Sequence, residues 1–182
     1  SNIRYWEKKY GDQNMKYVIN EFSQEKLGPL SVGKNMKFGF MEYMGYSSIS
    51  RGPDEEPLST SANDYKKQFN YWLSYSKPLV YSWHLLDYLG EETIDSIMHN
   101  YYEDWKFKHP YPEDFFPYFA KYSDKDLSWY THDVFYKTGH VDYSVCLRKG
   151  YATFKNKGTL TLPFEVAFYN RRGDEISRQW FE

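Results

Sequence analysis

The sequence predicts an α+β protein: a mainly α-helical unit over residues 1–139, followed by a small antiparallel β meander over 140–182. Three observations carry this. Apolar residues upstream recur at helical spacing, as Met15, Val18, Ile19 and Phe22 do. Near Gly139 the period changes to alternation, as in Leu160, Leu162, Phe164, Val166 and Phe168. Pro and Gly punctuate the helical part at close intervals, so consecutive helices have short connections and lie antiparallel.

In order, the Met15–Phe22 face ends at Gly28-Pro29. A stretch from about Met36 to Tyr46, rich in Met and Phe, reads as a largely buried helix. Residues 47–62, with their Ser, Gly, Pro and acids, read as a long exposed loop. A helix follows from about Ser76 to Tyr88, with Leu79, Trp83 and Leu86 on one face and Pro78 in its first turn, where a missing N–H costs nothing. Gly90 closes it, and Glu91 and Glu92 open the next at the positive end of its dipole. Ile94, Ile97, Met98, Tyr101, Tyr102 and Trp105 give that helix the clearest periodicity in the chain. Pro112 starts a third, and Ser123 or Asp124 caps a fourth that carries Leu127, Tyr130 and Val134. In the β part, Val141–Arg148 alternates and Ile176–Phe181 forms a last short strand. Turns are expected at Lys155–Gly158 and Arg171–Asp174. The strands are too few for an independent sandwich, which takes about seven.

A chain of 182 residues suits one domain with an appendage or two small ones. Its aromatic share is 21%, with 20 Tyr, 13 Phe and 6 Trp. Such rings suit packing between helices first, and a sugar- or peptide-binding surface second. The net charge of −2 comes from interspersed residues and builds no basic stripe, so nucleic acid is not an expected partner. No run approaches the roughly 18 apolar residues of a membrane span. Cys146 cannot form an internal disulfide, and alternation with polar neighbours reads it as a small buried strand residue.

None of the five histidines stands in an H-E-x-x-H motif. His99 and Glu103 share helical i, i+4 spacing, but a two-ligand site is too weak to hold zinc. No G-x-S-x-G elbow or phosphate-cradling Gly loop occurs. Of the acid pairs Glu55-Glu56, Glu91-Glu92 and Glu113-Asp114, the last two open helices, which already accounts for them; a glycosidase carboxylate pair is a minor alternative.

Order along the chain is more informative. It carries Tyr75-Ser76-Lys77-Pro78, then Leu89-Gly90-Glu91-Glu92, then Tyr101 to Phe107, Pro112-Glu113-Asp114-Phe115 and Asp126-Leu127-Ser128-Trp129-Tyr130. In this order and spacing, the segment from about Tyr65 to Phe135 resembles the M1 family of zinc aminopeptidases, downstream of the zinc motif. The β segment resembles the opening strands of the β-sandwich that follows the catalytic domain in many members. The resemblance implies the helical, C-terminal half of a thermolysin-like catalytic domain, in a parent that removes N-terminal residues from peptides with zinc-activated water. It assigns Tyr75 the part of hydrogen-bond donor to the oxyanion. The 47–62 loop would border the cleft.

Two departures matter. Pro78 stands where the family has Gly, and it should keep Lys77 away from helical angles, altering the pose of Tyr75. The zinc motif, the downstream glutamate ligand and the Gly-rich substrate motif are absent. Zn is therefore expected in the parent and not in this chain, which alone should be inactive. Its expected partners are a peptide substrate and the missing N-terminal part of the catalytic domain. The alternative is a non-catalytic helical plus β module that binds carbohydrate or protein through exposed Trp and Tyr. An exposed Tyr75 hydroxyl on an open face favours the first reading, and a row of exposed rings the second.

Overall fold

The computed structural model describes residues 40–50 and 52–182, so the expectations for residues 15–29 lie outside the described residues. The fold is α+β, with helices first and four strands after them. Helix α1 (Phe40–Ile49) outruns the expected end at Tyr46, because Ser50 N–H still reaches the Tyr46 carbonyl at 2.9 Å. The first residues of the expected stretch, 36–39, lie outside the described residues; of the side chains described in α1, Tyr46 is inside, but Tyr43 and Met44 are exposed.

Helix α2 (Gln68–Leu89) is the spine. It begins well before the expected Ser76, and Pro78 lies in its interior. Lys77 is therefore helical despite the proline that follows it, contrary to expectation. The reason is the buried face: Asn70, Leu73, Lys77, Tyr81, Leu85 and Tyr88 recur every three or four residues. An interior proline costs about 3 kcal/mol. Burying Leu73, Tyr81 and Leu85, at about 1.5–3 kcal/mol each, outweighs it.

Gly90, at φ +83°, separates α2 from α3 (Glu91–Trp105) as predicted. Ile97 is fully buried and Ile94 partly so, while Met98 and Tyr102 stand in solvent, so the apolar stripe is narrower than its periodicity. Helices α4 (Pro112–Phe115) and α5 (Pro117–Tyr122) each start at a proline. Phe115 wedges between Tyr101 and Phe119 with ring centroids 4.8 and 5.0 Å away. The next helical turn starts at Ser128, later than a cap at Ser123 or Asp124 would set it; Asp126 accepts Ser128 N–H at 2.9 Å just ahead of it, and Ser123 accepts Lys125 N–H. A π-helical turn (Trp129–Asp133) and the short α6 (Val134–Tyr136) complete the helical part. Among the described residues no helix is long and apolar enough to cross a membrane.

The strands form two antiparallel hairpins, β1 (Tyr143–Arg148) with β2 (Tyr151–Asn156) and β3 (Phe164–Tyr169) with β4 (Glu175–Phe181). The first turns at Lys149-Gly150, both at positive φ, as a two-residue primed turn requires. The turn expected at Lys155–Gly158 lies later: Lys155 and Asn156 end β2, and residues 157–163 join the two hairpins. The Arg171–Asp174 turn falls as expected. The hairpins meet through Tyr143, Phe154, Phe164 and Phe181, with centroids 4.5–5.8 Å apart. Only Tyr143 and Ser144 at the start of β1 are partly covered; from Val145 onward both faces of the strand are exposed, so Cys146 is exposed rather than buried.

Leu160 and Leu162, in the connection between hairpins, join the same core as Leu85, Ile97 and Val134. That connection runs close to residues 140–142, with Thr159 N–H on the His140 carbonyl at 3.0 Å. A Cβ at Gly158 would lie 2.3 Å from the His140 carbonyl oxygen and 2.7 Å from Asp142 N, both backbone atoms. Gly158→Ala should therefore cost about 1–3 kcal/mol by overpacking, read as a lower urea midpoint. An unchanged midpoint would disprove the close approach.

One buried polar relay ties α1, α2 and the start of the β part together. Tyr46 Oη donates to the Gly139 carbonyl at 3.0 Å, which leaves it to accept from Tyr81 Oη at 2.5 Å. Burial pushes the Tyr46 hydroxyl up to about 12 and raises Tyr81 as well. In the unfolded chain both ionise near pH 10. The folded state holds these protons more tightly, so its stability is intact below about pH 10 and falls as pH rises toward 12. Urea midpoints from pH 8 to 11.5 should decline above pH 10, and a flat profile would contradict the relay.

Candidate functional site

Tyr75 lies in the first half of α2. Residues two apart on a helix point about 200° away from each other. Lys77 is wholly buried, so Tyr75 faces solvent, with 60% of its surface exposed. Its hydroxyl lies 3.2 Å from that of Tyr71, one turn back, and the two rings meet edge to face at 5.7 Å. The hydrogen bond with Tyr71, then its electrostatic influence, hold the Tyr75 proton above the ordinary tyrosine value. The phenol is therefore protonated at neutral pH and able to donate. Trp72, exposed at 63%, continues the same surface, with its ring 6.3 Å from that of Tyr71.

Behind this surface sits a buried ion pair. Lys77 Nζ donates to Glu55 Oε1 at 2.8 Å and to the Lys137 carbonyl at 2.9 Å. Glu55 Oε2 accepts the Gly139 N–H at 2.6 Å. The side chains are 0% and 2% exposed. Nearby, Asn70 Nδ2 donates to the Asp54 carbonyl at 2.9 Å and to the Glu56 carboxylate, which also accepts Lys66 N–H. Acids 54–56 are thus stitched to the inward face of α2, away from Tyr75. The 47–62 segment is not the wholly exposed loop its composition suggests.

The sequence singles out Tyr75, offers Glu55 only as half of an acid pair, and does not single out Asn70 or the 137–139 connector. A weak signal existed. Allowing Asn and Lys onto an apolar stripe makes the α2 face continuous from Asn70 to Tyr88. Nothing local marks Glu55, whose partner stands 22 residues away.

Two other places could hold chemistry. A cavity of about 210 Å³ lies between α1, α2 and the β part, lined by Tyr43, Ser47, Val80, His84, His140 and Phe164 among others; Tyr75 does not line it. His84 is held between the edges of Trp129 and Trp180, with Nε2 on the Pro163 carbonyl at 2.7 Å. Burial lowers its proton affinity, and the ring serves as a wedge in the core. Among the described residues no group of three or more His, Cys, Asp or Glu side chains could hold a metal ion. His99 is exposed on α3, and Glu103 pairs with Lys106 at 2.5 Å. The described residues therefore do not fit a zinc ion.

Comparison of the chain with family models, with curated proteins and with solved structures found no match.

Proposed function

We propose that this chain is the helical part of an M1-like aminopeptidase, with the first strands of the domain that follows, and that Tyr75 is its oxyanion donor. The observation that carries the reading is the disposition of Tyr75 and Lys77: a protonated, outward phenol directly opposite a wholly buried lysine. The order of sequence motifs from Tyr75 to Tyr130 supports it. As a scissile carbonyl becomes tetrahedral, its oxygen gains negative charge. A neutral phenol aimed at that oxygen binds the transition state more tightly than the ground state, which is what accelerates a reaction. Zn, implied by the resemblance, would depend on ligands outside the described residues, and peptide would be the substrate.

The test uses the protein that joins this segment to its upstream chain, loaded with zinc. It should cleave a chromogenic aminoacyl anilide and spare the N-acetylated form, since an aminopeptidase needs the free amine. Zinc-loaded protein that cleaves neither would end the reading.

A second reading rests on the row of exposed rings, Tyr71, Trp72 and Tyr75, which could stack on sugar faces in a non-catalytic module. Saturable quenching of tryptophan fluorescence by an oligosaccharide, lost in Trp72→Ala, would favour it.

A further inference from the structure

We infer that Glu55 and Lys77 are positioning residues for Tyr75, an inference that rests on the reading of Tyr75 as oxyanion donor. Pro78 has no N–H to offer the carbonyl of Ser74, four residues back, so the turn that carries Tyr75 is held by fewer backbone bonds than its neighbours. Such a turn is where a helix bends. Lys77 lies in that same turn. Its ammonium ties it to two segments far apart in sequence, the loop through Glu55 and the 137–139 connector through the Lys137 carbonyl. Glu55 in turn grips the connector at Gly139 N–H, which closes the clasp.

An apolar pair of similar volume would stabilise a core as well as a buried ion pair, or better. What the ion pair adds is direction, because each of its hydrogen bonds has a fixed donor and acceptor. The geometry makes that direction matter at Tyr75. The two side chains stand on opposite sides of α2, so a roll of the helix at Lys77 swings Tyr75 the other way. With side chains reaching about 5–6 Å from the helix axis, a roll of about 10° moves a side chain by about 1 Å. A misplacement of that size can cost about a hundredfold in rate.

The test is Glu55→Leu/Lys77→Met, which removes both charges so that neither stays buried alone. In the zinc-loaded protein with its upstream chain, kcat should fall about 10- to 100-fold with KM little changed. In a Tyr75→Phe background the same pair of substitutions should have almost no further effect. In this chain, with 3-fluorotyrosine placed at position 75, the same substitutions should shift and broaden the fluorine resonance. If Tyr75→Phe lowers kcat but the pair does not, or if the resonance is unmoved, the positioning role is overturned. If the resonance moves but Tyr75→Phe leaves kcat unchanged, the functional reading fails while the clasp stands. Should the double variant not fold by circular dichroism, Glu55→Gln/Lys77→Met, which also removes both charges and keeps an acceptor for the Gly139 N–H, takes its place with the same outcomes.

Discussion

Lys77→Met should lower the unfolding free energy by about 3–5 kcal/mol, the usual cost of stranding one partner of a buried ion pair. The substitution leaves the Glu55 carboxylate almost fully enclosed, with the Gly139 N–H as its neighbour, and strips the Lys137 carbonyl of its donor. Adding Glu55→Leu should recover much of the loss, because no charge then remains to be solvated. Added salt should barely alter either result, since ions screen exposed charges far more than buried ones. By contrast, Arg178 with Glu165 and Glu175 lies in solvent, and removing that network should cost little. Urea unfolding with a constant slope is the measurement. A loss below about 1 kcal/mol for Lys77→Met would mean that water reaches the pair in solution.

On the aminopeptidase reading proposed above, Tyr75→Phe should reduce kcat about 10²- to 10³-fold in the zinc-loaded protein with its upstream chain, the usual cost of losing one preorganised oxyanion donor. That corresponds to about 3–4 kcal/mol of transition-state stabilisation. KM should change little, because the hydrogen bond forms fully only as charge develops. Folding should be unaffected within about 0.5 kcal/mol, since the Tyr75 hydroxyl is exposed and its partner, Tyr71, is also exposed. This split separates a chemical role from a packing role. A packing tyrosine would lose stability and leave kcat alone.

The fold class was legible because the hydrophobic period switches once, near Gly139, and because Gly90, Pro112 and Gly173 sit where backbone geometry demands them. The α3 boundary was legible for the same reason. The start of α2 was not, because Pro78 resembles a first-turn proline and Asn70 and Lys77 interrupt the apolar stripe with polar atoms. Those two residues are buried only because partners from residues 54–56 and 137 meet them, and such distant pairing leaves no local trace. The exposure of Cys146 was not legible because alternation implies a covered face, whereas nothing packs on either face of β1 beyond Ser144. Of the candidate site, Tyr75 could be named from its place in the motif order. The clasp behind it could be seen only once the chain was folded.

The most direct test of Tyr75 as oxyanion donor compares two ligands of the zinc-loaded protein with its upstream chain: a phosphinic peptide that mimics the tetrahedral intermediate, and an uncleavable peptide that mimics the substrate. Tyr75→Phe should weaken the first by about a hundredfold, in line with its effect on kcat, and leave the second within about twofold. Equal weakening of both, or of neither, would contradict the role assigned to Tyr75.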